Sequence, residues 1–191
     1  MKPITTATYQ AAFLSGISNI LAQVLKSYRS STPLELDFTP VIHFVIFTII
    51  NTPPNFQWQE QLEAWFPGQV ADEGAKGEKG EKGEKGEKAA AKAGKTRLSK
   101  TNTAKKFLAD QVLGAPINTA MFLAVMGWFK GLEGQVLMDY VQQNFMPFMV
   151  AGWKLWPAVS LISFSVVPAD KRVVFGSLVA LGWNTYVSMI M

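Results

Sequence analysis

Residues 107–129 read FLADQVLGAPINTAMFLAVMGWF, and this stretch decides the fold class. It runs for 23 residues with one charged side chain, Asp110. A helix of about 20 mostly apolar residues is long enough to cross the hydrocarbon core of a bilayer. The stretch therefore predicts a membrane-spanning helix.

Four further segments have the same character at lower hydropathy or shorter length: 9–25, 38–52, 146–166 and 173–190. Five such helices in 191 residues leave too little polar sequence to cover them in water. The sequence therefore predicts an all-α fold, an integral membrane helical bundle of four to five hydrophobic segments. Pro53-Pro54 is expected to end or kink the second segment, and Pro116 and Pro157 are expected to kink the third and fourth.

The charged residues are concentrated in one loop. Residues 71–106 hold 11 of the 18 Lys and Arg and 6 of the 14 Asp and Glu, which gives this stretch a net charge of +5 and the remainder −1. Residues 74–88 repeat Gly-Glu-Lys, a composition that predicts a long disordered charged loop. We therefore divide the chain into N-terminal membrane segments 1–69, a linker with a basic cluster 70–106, and C-terminal membrane segments 107–191.

The basic cluster predicts the side of the membrane on which this loop lies. From Ala89 to Lys106 no acidic residue occurs, and six basic residues remain: Lys92, Lys95, Arg97, Lys100, Lys105 and Lys106. Basic residues next to a span favour the cytosolic or equivalent face, where they also meet anionic lipid. A solvated tail that only sets topology explains the cluster equally well.

Several classes of function are disfavoured by composition. The chain has no cysteine and one histidine, His43, which excludes thiolate chemistry and disfavours multi-histidine metal sites. The basic residues do not alternate with aromatic residues along a stripe, so nucleic acid is not an expected partner. No catalytic motif occurs, and we expect no catalytic residue, metal or cofactor and no enzymatic activity.

Polar residues inside the apolar segments are the candidates for a functional site. An ionisable group at membrane depth normally faces the bundle interior or a wet cavity. The predicted pore-lining residues are Asp110, Gln111, Asn118 and Lys154. Other interpretations stay open: Asp110 at the interface near a helix N-terminus, Lys154 reaching outwards beside Trp153 and Trp156, and amides that only bond between helices.

The C-terminal third carries a specific pattern: Trp153-Lys154-Leu155-Trp156-Pro157, Phe164, Val167-Pro168, Arg172 and Trp183-Asn184-Thr185-Tyr186. It resembles the signature of the Mpv-seventeen family, which includes the 22-kDa peroxisomal membrane protein. Weaker matches cover most of the chain outside 70–106. The chain departs from the family pattern at Asn19, Ser163, Thr52 and Val187, and the Gly-Glu-Lys insert is not a family feature.

The resemblance implies a small multi-pass protein of the peroxisomal membrane, or alternatively of the mitochondrial inner membrane. It implies a channel or pore for small water-soluble metabolites, in contact with the lipid bilayer, with a homo-oligomer as one option for its assembly. The alternatives are a non-conducting scaffold for organelle organisation or stress response and, third, a membrane enzyme. For the signature residues we expect a structural role: Trp153, Trp156, Pro157, Phe164, Pro168, Arg172, Trp183 and Tyr186.

Overall fold

The structure is a computed structural model that describes residues 3–71 and 96–190. In this part of the chain seven helices and one short ribbon follow each other: α1 Pro3–Ser30, α2 Phe38–Trp65, β1 Gln69–Ala71, β2 Thr96–Leu98, α3 Lys100–Ala109, α4 Ala115–Phe129, α5 Gly134–Trp153, α6 Trp156–Val166 and α7 Ala169–Ile190. The expectation of an all-α fold is confirmed. The Gly-Glu-Lys repeat and its predicted disorder lie outside the described residues.

Helices α1, α2 and α7 pack as one group. The hydroxyl of Ser15 in α1 donates to the carbonyl oxygen of Phe44 in α2 at 3.2 Å, whereas Ala7 meets Phe56, so these two helices are antiparallel. Ala7 also meets Val173 at the start of α7. Near the other end of α1 the backbone of Ser18 accepts a hydrogen bond from α7, so α1 and α7 run parallel.

A second group is formed by the remaining helices. Helices α3 and α4 form one rod, and α5 and α6 return beside it: the rings of Phe122 and Phe148 are 5.6 Å apart, and Ser160 in α6 reaches Asp110. The α3–α4 rod also lies antiparallel to α2, where Phe47 meets Phe122. The fold is therefore a bundle of five helical rods, and α2 lies in contact with both groups.

One rod, Lys100–Phe129, is long and apolar enough to cross a membrane by length and composition. Only 17% of its most apolar window is buried in the bundle, whereas a core helix of a water-soluble protein is mostly buried. Gly134–Trp153 and Trp156–Val166 pass the same test together as a second, bent span. That gives one or two clear spans, so four to five spans remain a prediction.

The outer surface of the bundle is apolar in a manner that suits lipid. Large hydrophobic side chains on several helices are at least half exposed, among them Phe13, Ile117, Leu161, Val166 and Leu178. A monomeric protein in water rarely exposes such a set, because contiguous apolar surface favours association. The exposed residues therefore agree with a bundle whose sides face lipid.

The prolines give mixed results. Pro53-Pro54 does not end the second helix, because α2 continues to Trp65, so that alternative is wrong, and a kink at the proline pair stays a prediction. Proline fixes φ near the helical value, so a helix can continue through it although two carbonyls lose their donors. The kink predicted at Pro157 is confirmed, because the chain bends by 53° between α5 and α6.

Pro116 has a different effect. The rod does not break there; instead Asp110–Gly114 forms a π-helical turn directly before α4. Proline cannot donate to the carbonyl four residues earlier and its ring crowds that oxygen. The wider turn gives this carbonyl more room, and single π turns are frequent at functional positions.

Gly127 sets the approach of α4 to α5. A Cβ added at Gly127 would lie 2.5 Å from Cδ1 of Leu137 and 3.0 Å from Cδ1 of Tyr140, whereas a Cβ at Gly182 would meet nothing within 4 Å. We expect Gly127→Leu to destabilise the bundle by about 1–3 kcal/mol through overpacking. Thermal unfolding in detergent measures this, with Gly182→Leu as the matched control. Equal melting temperatures for the two variants would contradict the close approach.

Candidate functional site

The most deeply buried charges of the described bundle meet near the end of α2, the last turn of α3 and the start of α7. Oε2 of Glu63 accepts from Nζ of Lys106 and from Nη2 of Arg172, each at 2.7 Å, and Oε1 accepts from the backbone N–H of Gly68 at 2.6 Å. Lys106 is fully buried and Arg172 is 6% exposed. Both cations lie over the ring of Phe164, at 5.7 and 5.1 Å from its centroid. We call Glu63, Lys106 and Arg172 the ion cluster.

Glu63 is held as a carboxylate. Burial alone would raise its pKa, but the hydrogen bonds from Lys106, Gly68 and Arg172 outweigh burial and lower the pKa to about 2. A Cβ on Gly68 would lie 2.8 Å from Nζ of Lys106, so a glycine is needed where the backbone closes over the cluster. The ion cluster therefore ties the end of α2 and Gly68 to the last turn of α3 and the start of α7.

Arg172 also stabilises the turn between the last two helices. Its Nε donates to the carbonyl oxygen of Val167 at 3.0 Å, which satisfies an acceptor at the end of α6. Pro168 follows directly and prevents the helix from continuing. In this geometry Arg172, Pro168 and Phe164 hold helix ends together.

Asp110 lies in a second polar group, between α2, the π turn and α6. Its Oδ1 accepts from Nε1 of Trp58 at 3.2 Å, and its Oδ2 accepts from the hydroxyl of Ser160 at 2.8 Å and from the amide of Gln111 at 3.4 Å. A Cβ on Gly114 would lie 2.8 Å from Nε1 of Trp58. The π turn and Gly114 thus admit the Trp58 ring beside Asp110.

The other two predicted lining residues lie elsewhere. Asn118, two turns further along the same rod, accepts from the side-chain amide of Asn51 at 2.9 Å. Lys154 is exposed at the bend between α5 and α6, in a shallow groove with Trp183 and Tyr186. In the described part of the chain no ion pair joins it to Asp110. The structure therefore groups Asp110 with Gln111, places Asn118 along the same interface and separates Lys154 from all three.

The aromatic signature residues line this groove and its surroundings. Trp156 and Trp183 meet edge to face at 6.1 Å between ring centroids, and Trp183 contacts Tyr186 at 5.6 Å. Trp153 is 49% exposed at the end of α5. Pro157 occupies the first turn of α6, where a missing N–H costs nothing. These residues join α6 to α7 at the bend.

An open cavity of about 630 Å³ lies at the other end of the bundle, between the end of α1, the start of α2 and the end of α4, and its lining is more apolar than polar. We call it the end cavity. Its buried wall includes Asn19, Ala22, Phe44 and Met126. Charged and polar side chains surround its rim: Lys26, Lys130, Glu35, Asp37, Gln23, Ser27, Ser30 and Thr32.

Aromatic rings separate the end cavity from the Asn51–Asn118 pair. Phe122 contacts Phe44 at 6.1 Å, Phe47 at 5.2 Å and Phe148 at 5.6 Å between ring centroids. We call these four rings the aromatic cluster. From one end of the interface between α2 and the α3–α4 rod to the other, the order is thus the ion cluster, Asp110, the two asparagines, the aromatic cluster and the end cavity.

Sequence reasoning missed several of these residues. Lys106 was assigned to the basic cluster of the loop, yet it is fully buried in helix α3. The signal was its position, because Lys106 directly precedes the apolar stretch and lies one turn from Asp110. Glu63 and Ser160 carried no sequence signal, since each joins its site through a contact more than 40 residues away.

Comparison with known proteins finds one family model and several relatives of similar sequence. A model described as the Mpv17 / PMP22 family matches residues 127–188. The chain is 26% identical to PXMP2/4 family protein 3 of Dictyostelium discoideum, over 99% of this chain and 84% of the relative. It is 24% identical to peroxisomal membrane protein 2 of Bos taurus, over 100% and 84%, and 27% identical to protein sym1 of Schizosaccharomyces pombe, over 98% and 84%. No solved structure matches the chain.

Proposed function

Because the chain belongs to the Mpv17/PMP22 family of membrane proteins, we propose that it forms a pore for small water-soluble metabolites in an organelle membrane. The observation that carries this proposal is the end cavity, together with the polar groups that lie beyond the aromatic cluster between α2 and the α3–α4 rod. A cavity of about 630 Å³ has room for a solute of metabolite size.

The proposed route follows the α2–α4 interface. A solute enters the end cavity past Lys26 and Lys130, reaches the aromatic cluster, and continues past Asn118 to Asp110. Apolar constrictions of this kind gate channels by excluding water. The aromatic cluster is closed in the structure, so the proposal requires its rings to move apart during conduction.

Lys154 has no place on this route. It lies at the outward bend of the α5–α6 rod, apart from the α2–α4 interface. We keep Asp110, Gln111 and Asn118 as lining residues. For Lys154 we favour the interpretation in which its amine reaches outwards beside Trp153 and Trp156.

We place the protein in the peroxisomal membrane, with the mitochondrial inner membrane as the alternative, and we propose that all five rods cross it. The name of the bovine relative, peroxisomal membrane protein 2, supports the peroxisomal membrane. The end of α2 and the starts of α3 and α7 would then share one face, and the basic residues of the sequence favour the cytosolic or matrix side for that face. We propose no enzymatic activity, and a homo-oligomer is compatible with the exposed apolar helix faces.

Solute efflux from proteoliposomes tests the function directly. Vesicles that contain the full chain are loaded with a small sugar and, separately, with a dextran too large for the end cavity. The proposal predicts rapid release of the sugar and retention of the dextran. If folded, inserted protein releases neither, the pore proposal fails and the non-conducting scaffold becomes the better account.

A further inference from the structure

The ion cluster holds more positive than negative charge in a buried place. Two cations, Lys106 and Arg172, share a single oxygen of Glu63, whose other oxygen is already occupied by the N–H of Gly68. The net charge of the cluster is therefore +1. Burying an uncompensated charge costs several kcal/mol unless a counter-ion or further hydrogen bonds offset the cost.

Arg172 has hydrogen-bonding capacity left over. Its Nε bonds Val167 and its Nη2 bonds Glu63, but its Nη1 is buried and has no hydrogen-bond partner in the described structure. A guanidinium group offers five donors in a planar fork that matches the oxygens of phosphate. The unpartnered nitrogen thus belongs to one of the two cations that give the cluster its excess charge. Only 6% of Arg172 is exposed.

The cluster also lies where an anionic group is available. It is built from the end of α2, the first two turns of the α3–α4 rod and the start of α7, so it lies towards one end of the bundle, whereas the exposed apolar side chains cover the sides of the helices. In the proposed membrane arrangement this end lies at the depth of lipid headgroups. Glu63 is the most accessible member, with 30% of its side chain exposed.

We propose that Lys106 and Arg172 bind a phosphate group, from a lipid headgroup or from free phosphate, which supplies the missing negative charge. The group enters from the side of Glu63 and shares the two cations with its carboxylate. Nη1 of Arg172 then turns towards a phosphate oxygen, and the net charge of the cluster falls to zero or below. The ion cluster is thus an anion site as well as a clamp.

Melting temperature in a phosphate-free maltoside detergent tests this proposal with two probes. One probe is inorganic phosphate at constant ionic strength, and the other is phosphatidic acid mixed into the micelles, with diacylglycerol of the same acyl chains as its control. We expect a saturable rise in the melting temperature. A response to phosphatidic acid alone identifies a lipid headgroup as the source, and a response to both shows that free phosphate suffices.

Three variants connect the response to the cluster. Lys106→Met leaves a neutral Glu63–Arg172 pair, so we expect the variant to fold and to lose at least about nine-tenths of the response. Lys105→Met, which removes the same charge from an exposed neighbour, should keep it. Glu63→Gln removes the competing carboxylate and should bind the effective probe roughly tenfold more tightly.

Three outcomes would overturn the proposal. The first is a wild-type chain whose melting temperature ignores both probes, a measurement that depends on no variant. The second is a Lys106→Met protein that responds as strongly as Lys105→Met. The third is a response that appears only after residues 74–88 are deleted, which would assign the missing charge to an acidic residue of that repeat. Sugar efflux from proteoliposomes does not depend on any of these three outcomes. Failure of the anion site can therefore be distinguished from failure of the proposed pore.

Discussion

Replacing Glu63 by glutamine is expected to cause the largest loss of stability of any single polar substitution in this bundle. The change leaves Lys106 and Arg172 buried, mutually repelling and without a carboxylate. Removing one partner of a buried ion pair typically costs about 3–5 kcal/mol. For a chain of this length that corresponds to a decrease in the melting temperature of roughly 10 °C. Thermal unfolding in phosphate-free detergent is the measurement.

Glu60→Gln is the matched control, because Glu60 is exposed on the same helix. It should melt within about 1 °C of the wild type, since exposed charges contribute little. A Glu63→Gln protein that melts like the control would show that the ion cluster does not hold α2, α3 and α7 together.

The same carboxylate predicts a pH dependence. The folded pKa of Glu63 is about 2 and its ordinary value is 4.5, so the folded state favours the ionised form. The contribution of Glu63 to stability is therefore fully present above about pH 5 and is lost as the pH falls from about 4.5 towards 2. The wild type should lose stability over this window, and Glu63→Gln should show a shallower slope there.

Replacing Phe122 by alanine is expected to have the largest effect on conduction. Phe122 contacts all three other rings of the aromatic cluster, so its removal opens the proposed constriction between the end cavity and Asn118. Because an apolar constriction limits both water and solute, we expect sugar efflux to accelerate by at least about twofold. The change is measured in the proteoliposome assay at equal protein content.

Phe13→Ala removes the same group from a ring that is 70% exposed on α1. This control should leave the efflux rate unchanged. Truncating Phe122 also costs packing energy, so both variants are compared only after their melting temperatures show folded protein. A folded Phe122→Ala protein with unaltered efflux would remove the aromatic cluster from the route.

The helices were predictable because they depend on local sequence. Long apolar stretches with few charges placed all five rods, and Pro157 placed the bend of the fourth. The path of α2 through Pro53-Pro54 was not predictable in this way. A proline pair lowers the chance of a helix, but the packing of α2 against its neighbours decides whether the helix continues.

The candidate site was predictable only in part, because its contacts join distant segments. Asp110 and Gln111 stood out as polar residues inside an apolar stretch, and they do lie together with Ser160. The ion pair between Lys106 and Glu63 joins residues that are 43 positions apart in the sequence. A lysine that we predicted to lie in the basic loop is therefore buried in the bundle. Lys106 differs locally from its exposed neighbour Lys105 in lying one helical turn before Asp110, but that position does not identify Glu63 as its partner.

Single-channel recording of the purified protein in planar bilayers, beside an Asp110→Asn variant, tests the pore most directly. Asparagine has nearly the same shape as aspartate but carries no charge. We therefore expect the packing of this side chain against Trp58 and Ser160 to be preserved. The account predicts discrete current steps in both proteins and a lower preference for cations over anions in the variant. A silent bilayer with folded, inserted protein would contradict the pore, and steps with unaltered selectivity would contradict the place of Asp110 on its route.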